Sequence, residues 1–421
     1  MAIDSQGQPI RLPRSVLILN EPFFSCGGRY YCDSNWWRFA RYLAGYFRDL
    51  VLYLPLTETE VPPDVWPASL DGMRVHGRFS YTRIEEYYAR ILVRRWRMLF
   101  DARRLLAGAD LVMIRVPSPD ALPLARVAWR LGKPTVLLVC GDVVGGNAYV
   151  DARGVKATIA RMVAGRLRRA EEEVARRSAF VAVLGHELLS VFSRFNDRVA
   201  LMASPSISRE DIYRRADVLG HDGIRLLRVS RLLRCKGLEY LIQAMAVLRD
   251  RGRDFHLDIL GAADEPDYER SLHDLARRLG VLDRIAFRGD VEFGEALFDY
   301  YRQADIHVVS SLSEAMGRCI LEARVFGVPT VATRVGGIPS VVHHDQDGVL
   351  VEPRDPAALA QAVERLIDDG ELRRRIIREG YRAAETETAE FQALRLATLM
   401  GKALRGEPLG RAATDLHILE G

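Results

Sequence analysis

Two rhythms of apolar residues alternate along this chain from about residue 15 to about residue 384. Short, almost wholly apolar runs at 15–20 (SVLILN), 50–55, 111–116 and 135–140 are too short for helices and read as strands buried on both faces. Between them, 33–45, 84–106, 121–131 and 156–177 have the spacing of amphipathic helices, the first capped by Asp33 or Ser34. Strands at 180–184 and 198–203 close this series, and an irregular crossing follows at 206–222. A second series opens with the strand 224–230 and continues through strands ending at Ile259-Leu260-Gly261, Arg288-Gly289 and Val309. Strand–helix alternation of this kind predicts parallel sheets. At 421 residues, two domains are expected, at 1–205 and 223–385. A last helix, about 386–405, has apolar residues at Phe391, Leu394, Leu396, Leu399 and Leu404.

Composition narrows the class. Hydrophobic content of 48% and charged content of 28% describe a soluble globular chain, and a net charge of +4 gives no ground for a nucleic-acid partner. No apolar run approaches the ~20 residues of a membrane span. The first residues, MAIDSQGQPIRLPR, lack the apolar core of a secretory signal, so a cytoplasmic chain is expected. Five scattered cysteines without metal-ligand spacing read as free thiols. Basic charge is nearly all arginine, with lysine only at positions 133, 156, 236 and 402, which gives Lys236 more weight.

The most chemically suggestive stretch is 310–339, SSLSEAMGRCILEARVFGVPTVATRVGGIP. A buried strand ends at Val309, a small polar loop holds Glu314, and Gly317 stands where a helix begins, with Glu322 inside it. A strand, a polar loop and a helix N-terminus leave backbone N–H groups free to face an anion. A carboxylate beside a phosphate site can accept hydrogen bonds from sugar hydroxyls. Gly27 and Gly28, after the first strand, allow a ligand or another backbone close approach, and a plain flexible loop is the other reading. The dinucleotide fingerprint GxGxxG is missing at that point, which weighs against a dehydrogenase. The helix 84–106 interleaves Tyr87, Tyr88, Trp96 and Phe100 with Arg90, Arg94, Arg95, Arg97, Arg103 and Arg104. It suits an anionic membrane surface, or its aromatic face packs on the sheet.

Glu314 and Glu322 with Gly317 between them and Gly336-Gly337 downstream resemble the acidic motif of retaining family 4 glycosyltransferases. The resemblance extends through Val229-Ser230-Arg231-Leu232, Lys236-Gly237, Ile259-Leu260-Gly261, Arg288-Gly289 and Ala304-Asp305. Ala315 and Met316 stand where that family usually has glycine and phenylalanine. The resemblance implies the GT-B fold: α/β, with two facing Rossmann-like doubly wound domains and a cleft between them. The first domain would hold the acceptor, with the last helix crossing back onto it, and the second would hold the nucleotide-sugar donor.

It also implies site roles. Arg231 and Lys236 would stabilise the leaving diphosphate, and Glu314 would contact the sugar or the leaving side. Ser230, Gly261, Met316, Gly317, Arg318, Cys319, Glu322, Gly336 and Gly337, together with Gly27 and Gly28, would line the donor site, Glu322 on the ribose. The family often has a histidine near the end of the strand 135–140; Cys140 and Asp142 stand there, and Asp142 is the catalytic candidate. With dispersed histidines, and on the reading that the chain lacks an Asp-x-Asp motif, transfer is expected to need neither metal nor cofactor. The expected partners are a nucleotide-sugar, a carbohydrate or lipid-linked acceptor and an anionic membrane at the inner face, in polysaccharide or glycolipid synthesis. A sugar-nucleotide epimerase or hydrolase on the same architecture would need no acceptor, and a periplasmic-type sugar-binding protein would need an export signal.

Overall fold

The computed structural model describes residues 11–32, 34–62, 65–78, 84–141, 154–219 and 223–419, with backbone alone for 84–94 and 154–160. These residues gather into two compact units: 11–141, 154–206 and 389–419 in one, 207–388 in the other.

The first unit opens with β1 (Ser15–Ile18), β2 (Phe23–Cys26), β3 (Arg29–Cys32), α1 (Trp36–Ala44), β4 (Leu50–Glu58), β5 (Trp66–Ala68) and β6 (Arg74–Arg78). It continues with α2 (Ile84–Ala107), β7 (Leu111–Val116), α3 (Ala121–Arg130), β8 (Thr135–Val139), α4 (Gly154–Arg177), β9 (Phe180–Val183), α5 (His186–Phe192) and β10 (Val199–Leu201). The sheet runs β10-β9-β8-β7-β1-β4, all parallel, with β6 parallel to β4 at the far edge. Counted from β1, this is the winding order of a Rossmann sheet. Val136, Leu137, Leu138 and Val139 are completely buried, as a strand covered on both faces must be.

The antiparallel β2–β3 hairpin joins the sheet through β4, an element that the alternation of apolar runs did not predict. Its two-residue turn is Gly27-Gly28, and φ values of 57° and 77° put both in the left-handed region. A tight hairpin turn of this kind needs positive φ at both central positions, so the turn accounts for the paired glycines. The loop expected to lead from the first strand directly to the first helix is therefore corrected to a hairpin.

The second unit contains β11 (Ile224–Val229), α6 (Leu238–Asp250), β12 (Phe255–Leu260), α7 (Pro266–Arg278), β13 (Ile285–Gly289) and α8 (Glu295–Gln303). After these come β14 (Ile306–Val309), α9 (Arg318–Val325), β15 (Thr330–Thr333), β16 (Val349–Val351), α10 (Pro356–Asp368) and α11 (Gly370–Glu387). Its sheet is parallel throughout, in the order β13-β12-β11-β14-β15-β16. α10 begins with Pro356 and α11 with Gly370; Asp355 and Asp369 cap them by accepting from the Ala358 and Leu372 amides at 2.9 Å each. The crossing segment is irregular but firmly tied. Arg215 donates to the carbonyls of Tyr301, Arg302 and Ala304, and Asp217 accepts from Arg373 at 2.6 Å. Buried Arg324 of α9 pairs with Glu387 of α11 and with Asp347 at 3.3 Å.

α12 (Ala389–Arg405) packs on α1 in the first unit, contributing Leu396, Leu399 and Met400 to that core. Its Arg395 is fully buried and donates to the carbonyls of Leu201, Ala412, Asp415 and Ile418, fastening the end of the chain to β10. Two α/β units with parallel, doubly wound sheets thus bear out the fold class read from the sequence.

Candidate functional site

In the second unit the chain builds outward from β11 to β12 and β13, then returns to lay β14 on the other side of β11. Open α/β sheets bind ligands outside the carboxyl ends of the strands at such a reversal. The chain leaves β11 through Ser230 and Arg231 into a short turn, Arg234–Lys236, before α6. It leaves β14 through 310–317 before α9. Both helices start at a glycine, Gly237 and Gly317, with no side-chain cap, so their first amides are not taken by a capping residue. α6 and α9 therefore begin beside the reversal point with amides suited to an anion.

Lys236 and Glu314 meet there. The Lys236 ammonium donates to Glu314 Oε2 at 2.7 Å, and the two side chains are only 17% and 15% exposed. Ser311 donates to the same oxygen at 3.4 Å and accepts from Arg228 Nη2 at 3.0 Å. Burial alone would raise the Glu314 carboxyl. The Lys236 charge and hydrogen bond outweigh it, with Arg228 and Ser311 adding to them, and hold the group below the usual carboxylate range. The backbone fixes this geometry: Ser310 Oγ donates to the Lys236 carbonyl at 2.9 Å, and the Leu312 amide to the Cys235 carbonyl at 2.6 Å.

Gly336 and Gly337 lie against the acidic loop. The Gly337 amide donates to the Glu314 carbonyl at 3.0 Å, and a Cβ on either glycine would overlap the carbonyl oxygens of Glu314 and Ala315. Their glycine identity follows from this approach, which sets the position of Glu314. Glu322 lies on α9, 6% exposed, and its Oε2 accepts from the buried Tyr301 hydroxyl at 2.9 Å. Met316 is buried, Arg318 is exposed at the start of α9, and burial pushes the half-buried Cys319 thiol up to about 12. Ser230 packs against Gly261, and its hydroxyl has no hydrogen-bond partner among the described residues.

Not all of the expected residues converge. The Arg231 side chain is 62% exposed and forms an ion pair with Asp264 on the loop after β12. Gly27 and Gly28 belong to the first unit, and Asp142 lies outside the described residues. Cys140, just after β8, accepts from Arg115 Nε at 3.2 Å, and Arg115 also pairs with Glu21 at 2.6 Å. This polar set stands at the carboxyl ends of β1, β7 and β8, the reversal point of the first sheet. The expectation that the chain lacks an Asp-x-Asp is corrected by Asp345-Gln346-Asp347, both of whose carboxylates are committed. Asp345 pairs with Arg365 at 2.8 Å, and Asp347 with His343 at 3.0 Å and Arg324 at 3.3 Å. Among the described residues no group of three His, Cys, Asp or Glu side chains could hold a metal ion.

The sequence reading missed Arg228, Ser311 and Tyr301 as well as the Glu21–Arg115 pair. A signal existed for one of them: Arg228 interrupts the apolar run of β11, where a charge is costly to bury.

Residues 210–383 match the family described as Glycosyl transferases group 1. An uncharacterized glycosyltransferase of Methanocaldococcus jannaschii is 33% identical over 204 residues, covering 46% of this chain and 51% of the relative. The D-inositol 3-phosphate glycosyltransferase of Corynebacterium glutamicum is 36% identical over 185 residues, covering 42% and 43%. The chain thus spans about half the length of the curated relatives that it matches. Among solved structures, Anabaena HepE in complex with UDP and glucose superposes with a TM-score of 0.66 at 16% identity, covering 93% of this chain and 100% of HepE. That likeness is one of fold, the GT-B type.

Proposed function

We propose that this chain is a retaining glycosyltransferase of family 4 that moves a sugar from a nucleoside-diphosphate donor to an acceptor hydroxyl without a metal ion. The observation that carries the reading is the Lys236–Glu314 pair at the reversal point of the second sheet, beside two helices that begin at uncapped glycines. A diphosphate fits the helix N-termini and Lys236, and Arg231 at the rim can turn from Asp264 to add a second cation. As the bond from the sugar C1 to the diphosphate oxygen breaks, its electron pair goes to that oxygen. The fixed positive charges stabilise the growing charge more than the ground state. The acceptor oxygen bonds to C1 on the same face, and its proton passes to the departing phosphate.

Glu314 orders the sugar and Glu322 the ribose, while the Glu21–Arg115–Cys140 set in the first unit offers polar groups to the acceptor. The HepE complex with UDP and glucose supports a uridine donor as the first to try. The acceptor class proposed is a carbohydrate or lipid-linked sugar of cell-surface polysaccharide or glycolipid synthesis, met at the inner face of a membrane.

An exposed groove on the first unit supports that location. It has a volume of about 250 Å³ between α2 and α3, walled by Trp96, Leu99, Phe100 and Val127 and edged by Arg103 and Arg130. Trp96 is 80% exposed and Phe100 58%. Apolar rings next to cations complement an anionic lipid surface. No described helix is long and apolar enough to cross a membrane.

Incubation with UDP-sugars and a panel of acceptors tests the proposed reaction. Nucleoside diphosphate and a new glycoside of unchanged anomeric configuration are expected together, and only when an acceptor is present. Free sugar formed at the same rate without acceptor would instead mean a hydrolase, and inverted product would refute retention.

A further inference from the structure

Arg228 lies on β11 beneath the proposed donor site, completely buried. Its Nη2 donates to Ser311 Oγ at 3.0 Å, and among the described residues Nε and Nη1 have no partner. A guanidinium is charged at any pH a protein survives, so this is a permanent cation whose field few local hydrogen bonds consume. The titratable groups around it come from several elements: Lys236 after β11, His307 on β14, Tyr301 on α8, Glu314 before α9, and Cys319 and Glu322 on α9. Burial and Arg228 push His307 down to about 3; burial pushes the Cys319 thiol up to about 12 and the Tyr301 phenol well above its ordinary value. These three are neutral near pH 7, so the cations that act on Glu314 are Lys236 and Arg228.

Lys236 is engaged by Glu314. A diphosphate needs that ammonium, and a carboxylate as buried as Glu314 cannot lose its counter-ion without a large desolvation cost. We propose that Arg228 is a positioning residue: acting through Ser311, it is the standing counter-ion of Glu314, and it frees Lys236 to move to the donor's diphosphate. The hydrogen-bond directions agree with this. Ser311 accepts from Arg228 with its lone pair and gives its own proton to Glu314 Oε2, so Glu314 keeps two supports, Ser311 and the Arg228 field, when Lys236 leaves. The role in donor binding rests on the glycosyltransferase reading; the link between Arg228 and Glu314 does not.

The experiment has two arms. In the first, the side-chain carboxyl of Glu314 is titrated by carbon-13 NMR without ligand and assigned by its disappearance in Glu314→Gln. Arg228→Met, which removes the charge at similar volume, is expected to raise the midpoint by about one pH unit, and Arg228→Lys to restore most of the difference. An unchanged midpoint in folded Arg228→Met overturns the proposal. In the second arm, UDP affinity is measured by calorimetry. Arg228→Met is expected to weaken it about tenfold, with Arg228→Lys recovering most of the loss. In the Glu314→Gln background, where no carboxylate needs a counter-ion, Arg228→Met is expected to have little effect. An equal loss in both backgrounds would mean that Arg228 acts through general structure and overturns the counter-ion role. If the wild type binds neither UDP nor any other nucleoside diphosphate, the transferase reading falls, while the first arm still decides the Arg228–Glu314 link.

Discussion

At the scale of single residues, the two carboxylates of the acidic segment occupy different surroundings, and the proposed division of their work follows from those surroundings. Glu314 is held by Lys236 and Ser311 on the loop between β14 and α9. Glu322 is deeper, on α9, and oriented by Tyr301. A group that contacts the sugar while the bond breaks is felt mainly in kcat, and a group that holds an unchanging ribose is felt mainly in KM. Glu314→Gln is therefore expected to lower kcat by on the order of 10²-fold with a modest change in KM. Glu322→Gln should raise the donor KM several-fold, on the order of 1 kcal/mol of lost binding, and leave kcat within a few-fold. Steady-state kinetics with donor varied decide this, and the reverse pattern would exchange the two roles. Lys236, Glu314 and Glu322 were legible in sequence because a scarce lysine and two spaced acids flank strand ends and glycines. Ser311 and Tyr301 were not, since an ordinary serine and a tyrosine in a helix carry no mark of the partner they will meet. Arg228 was marked by its place in an apolar strand, but the pattern could not say which carboxylate it faces.

At the scale of elements, the apolar runs placed the parallel strands well because both faces of each are covered, so burial is written continuously along them. The hairpin β2–β3 was hidden because Phe23, Phe24, Tyr30 and Tyr31 do not form a long run, and its turn resembles any glycine loop. For α2 the sequence left two readings open, and the packing of its aromatic face on the sheet is corrected for Trp96 and Phe100. Ala102 and Leu106 are buried in the first unit, while Trp96 and Phe100, one turn apart, stand exposed with Arg103 on another face. Helical spacing groups these residues but does not tell which face the sheet takes. If the groove meets lipid, the chain should sediment with phosphatidylglycerol vesicles at low salt and less so as salt rises. Replacing Trp96 and Phe100 by serine should weaken that binding at least about tenfold, given the apolar surface lost. Failure to bind anionic vesicles at low salt, or binding indifferent to the double replacement, would remove the membrane from the account.

At the scale of the whole molecule, both sheets repeat one winding, and in each the reversal point collects charged side chains: Glu21 with Arg115 in the first, Lys236 with Glu314 in the second. The repetition was legible as an alternation of periods, although the two halves share no obvious residue identity. The second unit's site was easier to read because its polar residues lie close together in sequence, within a strand end and one loop. In the first unit Glu21, Arg115 and Cys140 are drawn from strands far apart in the chain and meet only through the sheet order. The central claim is that Lys236 and the neighbouring helix N-termini receive the diphosphate of a nucleotide-sugar. The most direct test is the melting temperature of the wild type and of Lys236→Ala across a panel of nucleotide-sugars. A ligand that binds only the folded chain at 100 times its Kd stabilises it by about 2.7 kcal/mol. The wild type is expected to melt several degrees higher with at least one nucleoside-diphosphate sugar, UDP-glucose being the first candidate, and Lys236→Ala to lose most of that rise. No rise with any member of the panel, or an equal rise in a folded Lys236→Ala, would contradict the claim.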